Sequence, residues 1–152
     1  MLRLKGESFT CGRARFVDFS GKVREPTAKI FIKILVSDWP EPVLTQLDTG
    51  AAWSVLEPEI ASEIGVLDGS GEPERLVTRA GIMSGRLVTV PITFLADEGL
   101  SIDIEGTFFG DPHWPFGSFI GYTGLLDSIR FALDPPRNDF YFGESLGRLL
   151  AG

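Results

Sequence analysis

The stretch of sequence that decides the fold is residues 43–57, which read VLTQLDTGAAWSVLE. A strand-like apolar run ends at Leu47, and Asp48, Thr49 and Gly50 follow it directly. Because glycine has no Cβ, it allows a tight turn and a close approach of the backbone to another group. The segment therefore places a carboxylate at the end of a strand, facing a glycine-dependent turn. For the bare tripeptide, a turn that only caps the strand is the alternative interpretation.

A carboxylate in this position can take part in acid–base chemistry when a second carboxylate lies beside it. Two such groups about 3 Å apart share one proton, because like charges that close cannot both ionise. The ionised group can take a proton from a bound water, and the protonated group can stabilise a developing oxyanion. The chain has no second Asp-Thr-Gly or Asp-Ser-Gly, since Asp127 and Ser128 are followed by Ile129. We therefore expect the second carboxylate to be the Asp48 of another copy in a symmetric dimer.

The rest of the chain carries the period-two pattern of β-strands. Apolar residues alternate along residues 28–36 and 86–95, and 18 glycines and 10 prolines supply turns. A short helix is expected to begin at Pro58 and end at Gly65, and a helical turn is expected over residues 124–129. Residues 81–85 are predicted to form the turn of a long hairpin. The other predicted strands are residues 42–47, 75–80, 101–109, 118–120, 130–134 and 140–143, with residues 14–19 as the best candidate for an edge strand.

The composition of the chain argues against several kinds of binding partner and metal site. The net charge is −7, without a Lys/Arg cluster, so a nucleic-acid partner is not expected. Cys11 is the single cysteine and His113 the single histidine, which argues against a disulfide or a metal site. No metal or organic cofactor is expected. The chain also has no signal-like start and no apolar run that could span a membrane, so the expected location is cytoplasmic, without a membrane partner.

Residues 43–57 resemble the active-site region of retropepsin-like (retroviral-type) aspartic proteases, in which an apolar strand leads into D-T-G-A and a short strand follows. Phe119, Ile120 and Gly121, followed by two leucines, resemble the second landmark of that family. The resemblance spans roughly residues 30–142. It implies a mainly β fold, a small closed β-barrel of the acid protease type with one or two short helices, as a homodimer. The expected domain is residues 28–143, between an arm or edge strand (residues 1–27) and a tail (residues 144–152).

The resemblance also implies roles for individual residues. Asp48 is the catalytic residue, and Thr49 is expected to form hydrogen bonds across the two-fold axis of the dimer. Gly50 and Ala51 complete the active-site loop, while the strand with Phe119, Ile120 and Gly121 supports it. The residues expected to bind substrate lie on the cleft floor and on a mobile flap: Ala52, Trp53, Ala80, Gly81, Ile82 and Met83.

The sequence departs from the viral pattern at an ion pair. Viral members carry polar or acidic residues after D-T-G-A, one of which pairs with an arginine after the later glycine. Here the corresponding positions are Ala52, Trp53 and Tyr122, so both ends of the pair are missing together. Losing only one end would leave a buried charge without a partner, at a cost of several kcal/mol. The cleft floor is therefore expected to be apolar, with Trp53 as a wall of a subsite.

Three functions are compatible with these residues. The first is an aspartic endopeptidase, which hydrolyses peptide or protein substrates with a water activated by the Asp48 pair. The alternative is a non-catalytic peptide-binding or assembly module that retains the retropepsin fold, with a peptide held as an added strand. A purely structural homodimer, the third, would not need Asp48.

Overall fold

The computed structural model of the protein describes residues 1–18, 30–78 and 81–145. This part of the chain is mainly β, as predicted, and no helix in it is long and apolar enough to cross a membrane. Helix α1 is Pro58–Glu63, and 3-10 turns form at Leu126–Ser128 and Pro135–Arg137. The strands, in chain order, are β1 (Arg3–Leu4), β2 (Glu7–Ser8), β3 (Gly12–Arg15), β4 (Ile30–Val36), β5 (Val43–Leu47), β6 (Glu72–Thr78), β7 (Gly81–Phe94), β8 (Glu98–Gly99), β9 (Ile102–Gly110), β10 (Phe119–Ile120), β11 (Ile129–Asp134) and β12 (Asp139–Glu144).

The larger sheet has the order β10-β5-β4-β7-β6, and β9 also pairs with β7. The period-two pattern that predicted β4 is confirmed, because Ile32, Ile34 and Val36 are buried. The same alternation buries every second residue near the end of β7 and the start of β9. One face of this sheet therefore supplies much of the hydrophobic core.

The second sheet has the order β11-β12-β3-β8 and packs on the same core. Phe94 from the larger sheet lies 5.7 Å from Phe142 and 6.1 Å from Phe140, measured between ring centroids. Strand β3 lies inside this sheet, between β12 and β8, whereas the sequence favoured an edge strand over residues 14–19. Residue 19 lies outside the described residues. Gly12 allows β3 to lie next to β12, because a Cβ at residue 12 would lie only 2.4 Å from the Phe142 ring.

The strand pairings within residues 1–18, 30–78 and 81–145 do not close into a barrel, in contrast to the sequence expectation. Among the described residues, one β-bridge, between Val17 and Phe31, connects the two sheets, which otherwise meet through core side chains. The larger sheet branches at β7, which pairs with β4, β6 and β9 along its 14 residues. Side-chain packing, rather than a continuous ladder of hydrogen bonds, encloses the core.

The long hairpin exists, but its predicted turn at residues 81–85 is wrong. Strand β6 pairs with β7 from Glu72↔Leu87 to Thr78↔Gly81, so the chain reverses between Thr78 and Gly81. Ala80 lies outside the described residues. Gly85 is a strand residue, where a Cβ would lie 2.3 Å from the carbonyl oxygen of Gly110. This glycine therefore permits the close approach of β9 and does not form a turn.

The helical predictions are confirmed. Pro58 occupies the first turn of α1, and Gly65 follows the helix with a φ of +84°, a left-handed conformation that favours glycine. Leu126–Ser128 forms the predicted helical turn, and β11 and β12 form the last hairpin.

Candidate active site

Asp48 stands at the end of β5, where this strand pairs in parallel with β10. The Gln46 N–H donates to the carbonyl of Ser118 at 3.0 Å, and the Asp48 N–H donates to the carbonyl of Ile120 at 2.9 Å. The backbone of Asp48 is thus fixed by the last hydrogen bond of the pairing. Its side chain stands at the point where the chain leaves the sheet.

The segment after the Asp48 turn returns along the other side of β10. Val55 and Phe119 exchange two backbone hydrogen bonds, of 3.0 and 2.9 Å. The Tyr122 N–H donates to the carbonyl of Ala51 at 2.8 Å, and the Thr123 N–H donates to the carbonyl of Ala52 at 2.9 Å. Strand β10 and the residues after it therefore lie between the strand that leads into the turn and the segment that leaves it. Residues 119–121 therefore contact both the strand before the Asp48 turn and the segment after it.

Gly121 is required at the point where these segments come closest. A Cβ on it would lie 2.4 Å from the carbonyl oxygen of Trp53 and 2.8 Å from that of Ala51. Its N–H donates to the Oγ of Ser54 at 2.8 Å, and Ser54 is completely buried. The sequence analysis missed Ser54, because a serine inside a short apolar strand carries no signal that separates it from its neighbours.

The Asp48 side chain is half-buried, and the Thr49 and Gly50 that follow it are exposed. Oδ1 of Asp48 accepts the Gly50 N–H at 3.1 Å, and the Asp48 carbonyl accepts the Ala51 N–H at 3.2 Å. Oδ2 has no hydrogen-bond partner within the described part of the chain. The turn thus orients one carboxylate oxygen through the backbone and leaves the other available to a water or a second carboxyl group.

A small apolar cluster joins the site to the long hairpin. Val55, Leu76, Phe109 and Trp114 form its buried centre. Trp53, Met83 and Phe119 pack against this centre while remaining partly exposed, so three of the predicted site residues meet here. The remaining described flap residues, Gly81 and Ile82, lie at the exposed end of the hairpin, away from this cluster.

The loop before β10 holds two aromatic residues in different environments. Trp114 is buried, and its indole N–H donates to the carbonyl of Gly117 at 3.0 Å. Phe116 is 58% exposed and makes an edge contact with Trp114, with 5.2 Å between ring centroids. His113 is an exposed loop residue.

Comparison with known proteins shows a likeness in fold. No family model and no curated protein matches the chain. The crystal structure of a retropepsin-like aspartic protease from Rickettsia conorii is similar, with a TM-score of 0.53 and 17% sequence identity. The likeness covers 86% of this chain and 98% of that one. At this identity the likeness concerns the fold, and it agrees with the resemblance in the Asp48 and Gly121 motifs. The chain therefore has the fold of the retropepsin-like aspartic proteases.

Proposed function

We propose that the protein is an aspartic endopeptidase, and that two copies of the chain combine their Asp48 carboxylates in one site. The observation that carries this proposal is the Asp48 turn. It presents one half-buried carboxylate, held by backbone hydrogen bonds, with exposed Thr49 and Gly50 beside it. In a retropepsin-like fold such a turn is half of a catalytic site, and its exposed residues leave room for the same turn of a second copy.

The chemistry follows from one proton shared by two carboxyl groups. The ionised Asp48 takes a proton from a bound water, and the water oxygen attacks the carbonyl carbon of the peptide. The protonated Asp48 of the other copy donates a hydrogen bond and then its proton to the carbonyl oxygen. The tetrahedral intermediate collapses when the first Asp48 passes the proton it took from water to the amide nitrogen and the C–N bond breaks. The second Asp48 takes back a proton from a hydroxyl of the intermediate, which leaves a carboxylic acid, an amine and one shared proton on the carboxyl pair. The free Oδ2 suits contact with the water, because Oδ1 already accepts the Gly50 N–H.

The neighbouring residues would hold the substrate. The long hairpin packs through Met83 on the cluster that contains Trp53, so hairpin and loop can enclose an extended peptide from two sides. Thr49 is exposed beside the carboxylate and would form its hydrogen bonds across the dimer axis. The apolar Ala52 and Trp53 favour substrates with apolar side chains near the scissile bond.

The Asp48→Asn variant tests this proposal in a peptide-library cleavage assay between acidic and neutral pH. Asparagine keeps the shape of the side chain but cannot act as the general base, so hydrolysis should fall by at least about 100-fold. The unmodified protein should show a bell-shaped pH–rate curve that belongs to the carboxyl pair as a unit.

Asp38→Asn is the matched control, because Asp38 is exposed in the turn between β4 and β5. It should cleave like the unmodified protein. Equal cleavage by the Asp48→Asn variant would exclude Asp48 as the acid–base group. Peptide binding by both proteins with cleavage by neither would favour the non-catalytic peptide-binding module.

A further inference from the structure

A groove of about 1060 Å³ lies beside the Asp48 loop, along the outer face of β4 and β5. Phe31, Leu44 and Gln46 form its floor, on the opposite face from the buried Ile32 and Thr45. The loop before β10 and the start of α1 form its walls. The hydrogen bond from the Glu57 N–H to Ser118 Oγ, at 2.9 Å, holds these two walls together. Strands β4 and β5 and two walls joined to each other therefore shape the described part of the groove.

The groove ends two residues before Asp48, on the strand that leads into the candidate active site. Its inner end is formed by Gln46 and Phe119, which are paired neighbours in the β5–β10 ladder. Asp48 lies two residues beyond Gln46, or about 7 Å along the strand. The outer end is formed by Glu41, about 16 Å from Gln46 at the rise of an extended strand. A peptide bound at Asp48 could continue into this groove with about five extended residues.

The lining of the groove is aromatic, proline-rich and acidic. Five aromatic residues and three prolines line it, namely Phe31, Trp39, Trp114, Phe116, Phe119, Pro42, Pro58 and Pro115. The charged lining residues are Glu41, Glu57 and Glu59, and no lysine, arginine or histidine lines the groove among the described residues. None of these glutamates forms an ion pair within residues 1–18, 30–78 and 81–145. Carboxylates without partners and open aromatic faces both attract lysine and arginine side chains.

The exposed aromatic residue of the groove is held in position. Phe116 is 58% exposed, yet its ring packs edge-on against Trp114. Trp114 is buried, and its indole N–H donates a hydrogen bond to the Gly117 carbonyl. An exposed phenylalanine supported in this way provides a firm apolar contact for a ligand. Grooves lined by aromatic residues and proline suit extended, proline-containing peptides.

We propose that this groove is an exosite that binds a basic, apolar segment of the substrate outside the scissile bond. Substrates with arginine or lysine several residues from the cleaved bond are then preferred over uncharged ones. The part of the proposal that concerns substrate selection rests on the proposed endopeptidase function. The binding preference itself does not depend on catalysis, so it can be measured on a protein that does not cleave.

The test uses the full-length Asp48→Asn protein and two fluorescein-labelled peptides. One is Ala-Arg-Pro-Leu-Pro-Leu-Arg-Ala, and the other carries glutamine in place of both arginines. Fluorescence anisotropy should give roughly threefold to tenfold tighter binding of the arginine peptide at low salt, as expected for exposed charge pairs. This difference should shrink at high ionic strength.

Added substitutions identify the groove as the binding site. A triple variant with Glu41→Gln, Glu57→Gln and Glu59→Gln should remove the preference for arginine, whereas Phe116→Ala should weaken the binding of both peptides. Glu63→Gln is the control, because Glu63 is exposed on the same helix but does not line the groove. It should leave the preference unchanged.

Several results would overturn the proposal. These are an arginine preference that persists in the triple glutamate variant, an equal loss of that preference in the Glu63→Gln control, or binding of neither peptide. A shift of the monomer–dimer equilibrium in the groove variants, measured by sedimentation, would assign the groove to a second copy of the chain instead. If the preference holds but the unmodified protein cleaves nothing, the endopeptidase function fails and the binding groove remains.

Discussion

At the scale of single residues, Gly121 determines whether the Asp48 turn can keep its shape. Its Cα faces the carbonyl oxygens of Trp53 and Ala51, at distances that exclude a Cβ. Its N–H donates a hydrogen bond to the buried Ser54 Oγ, so the chain cannot move away from Ala51 and Trp53 without leaving a polar group unpaired. The residue is therefore a structural requirement of the site, although it carries no reactive group.

We expect Gly121→Ala to lower the free energy of unfolding by about 3 kcal/mol or more, because backbone atoms block the added methyl group. Thermal and urea unfolding measure this loss. Gly117→Ala is the matched control, since a Cβ there would meet only Glu57 Oε1, at 3.9 Å. A Gly121→Ala protein as stable as this control would show that Gly121 does not pack against the backbone of Ala51 and Trp53.

The residues of the Asp48 turn could be predicted from the sequence, whereas the residues that hold the turn in place through hydrogen bonds could not. Asp48, Thr49 and Gly50 form a local pattern, and the later apolar pair with Gly121 forms a second one. Ser54 acts through a hydrogen bond to a residue 67 positions away, and only the fold brings that partner near. Ser118 is similar, because its Oγ accepts the N–H of Glu57, 61 positions away.

At the scale of elements, the hairpin of β6 and β7 was predicted correctly as a hairpin but with the wrong turn. Glycine occurs both in turns and where two strands approach closely, and the sequence alone does not distinguish these two cases. Gly85 belongs to the second case, because it lies where β7 approaches β9 closely. The strands with strict alternation, such as β4, were predicted within one or two residues, because their buried face sets their register.

The far end of this hairpin is expected to be mobile in the free protein and ordered by a bound peptide. Val77 and Ile82 face each other there with 76% and 66% of their surfaces exposed, so little packing holds this end. Hydrogen exchange of residues 81–84 should be fast in the free protein. It should slow when a peptide with a hydroxyethylene in place of the scissile bond is added.

Strand β12 provides the internal reference, because Phe140 and Phe142 are buried and lie away from the hairpin. Its exchange should be slow in both samples. If the hairpin end exchanges as slowly as β12 without ligand, and the peptide changes nothing, it is not a flap.

At the scale of the whole molecule, the sequence predicted a mainly β fold of the retropepsin type, and the structure and its likeness to a solved protease agree. The closed barrel was not found, because sheet closure depends on contacts between distant residues that no local pattern encodes. The position of β3 is one such contact, because its backbone pairs with β12 and β8. Arg13 adds ion pairs with Asp139 and Glu98 at 2.7 and 2.6 Å. The homodimer remains a prediction, and it is the central one, since one chain supplies one Asp48.

Mixing unmodified chains with Asp48→Asn chains tests this central claim most directly. The two proteins are combined in varied ratios, allowed to exchange subunits by dilution and reconcentration, and assayed at constant total concentration on a cleaved peptide. If both Asp48 side chains are needed, activity falls with the square of the unmodified fraction, to roughly one quarter in an equal mixture of a two-fold dimer. The Asp38→Asn chain, mixed in the same way, should leave activity unchanged. A linear decline with the unmodified fraction, to about one half in the equal mixture, would mean that each chain works alone and would contradict the shared site.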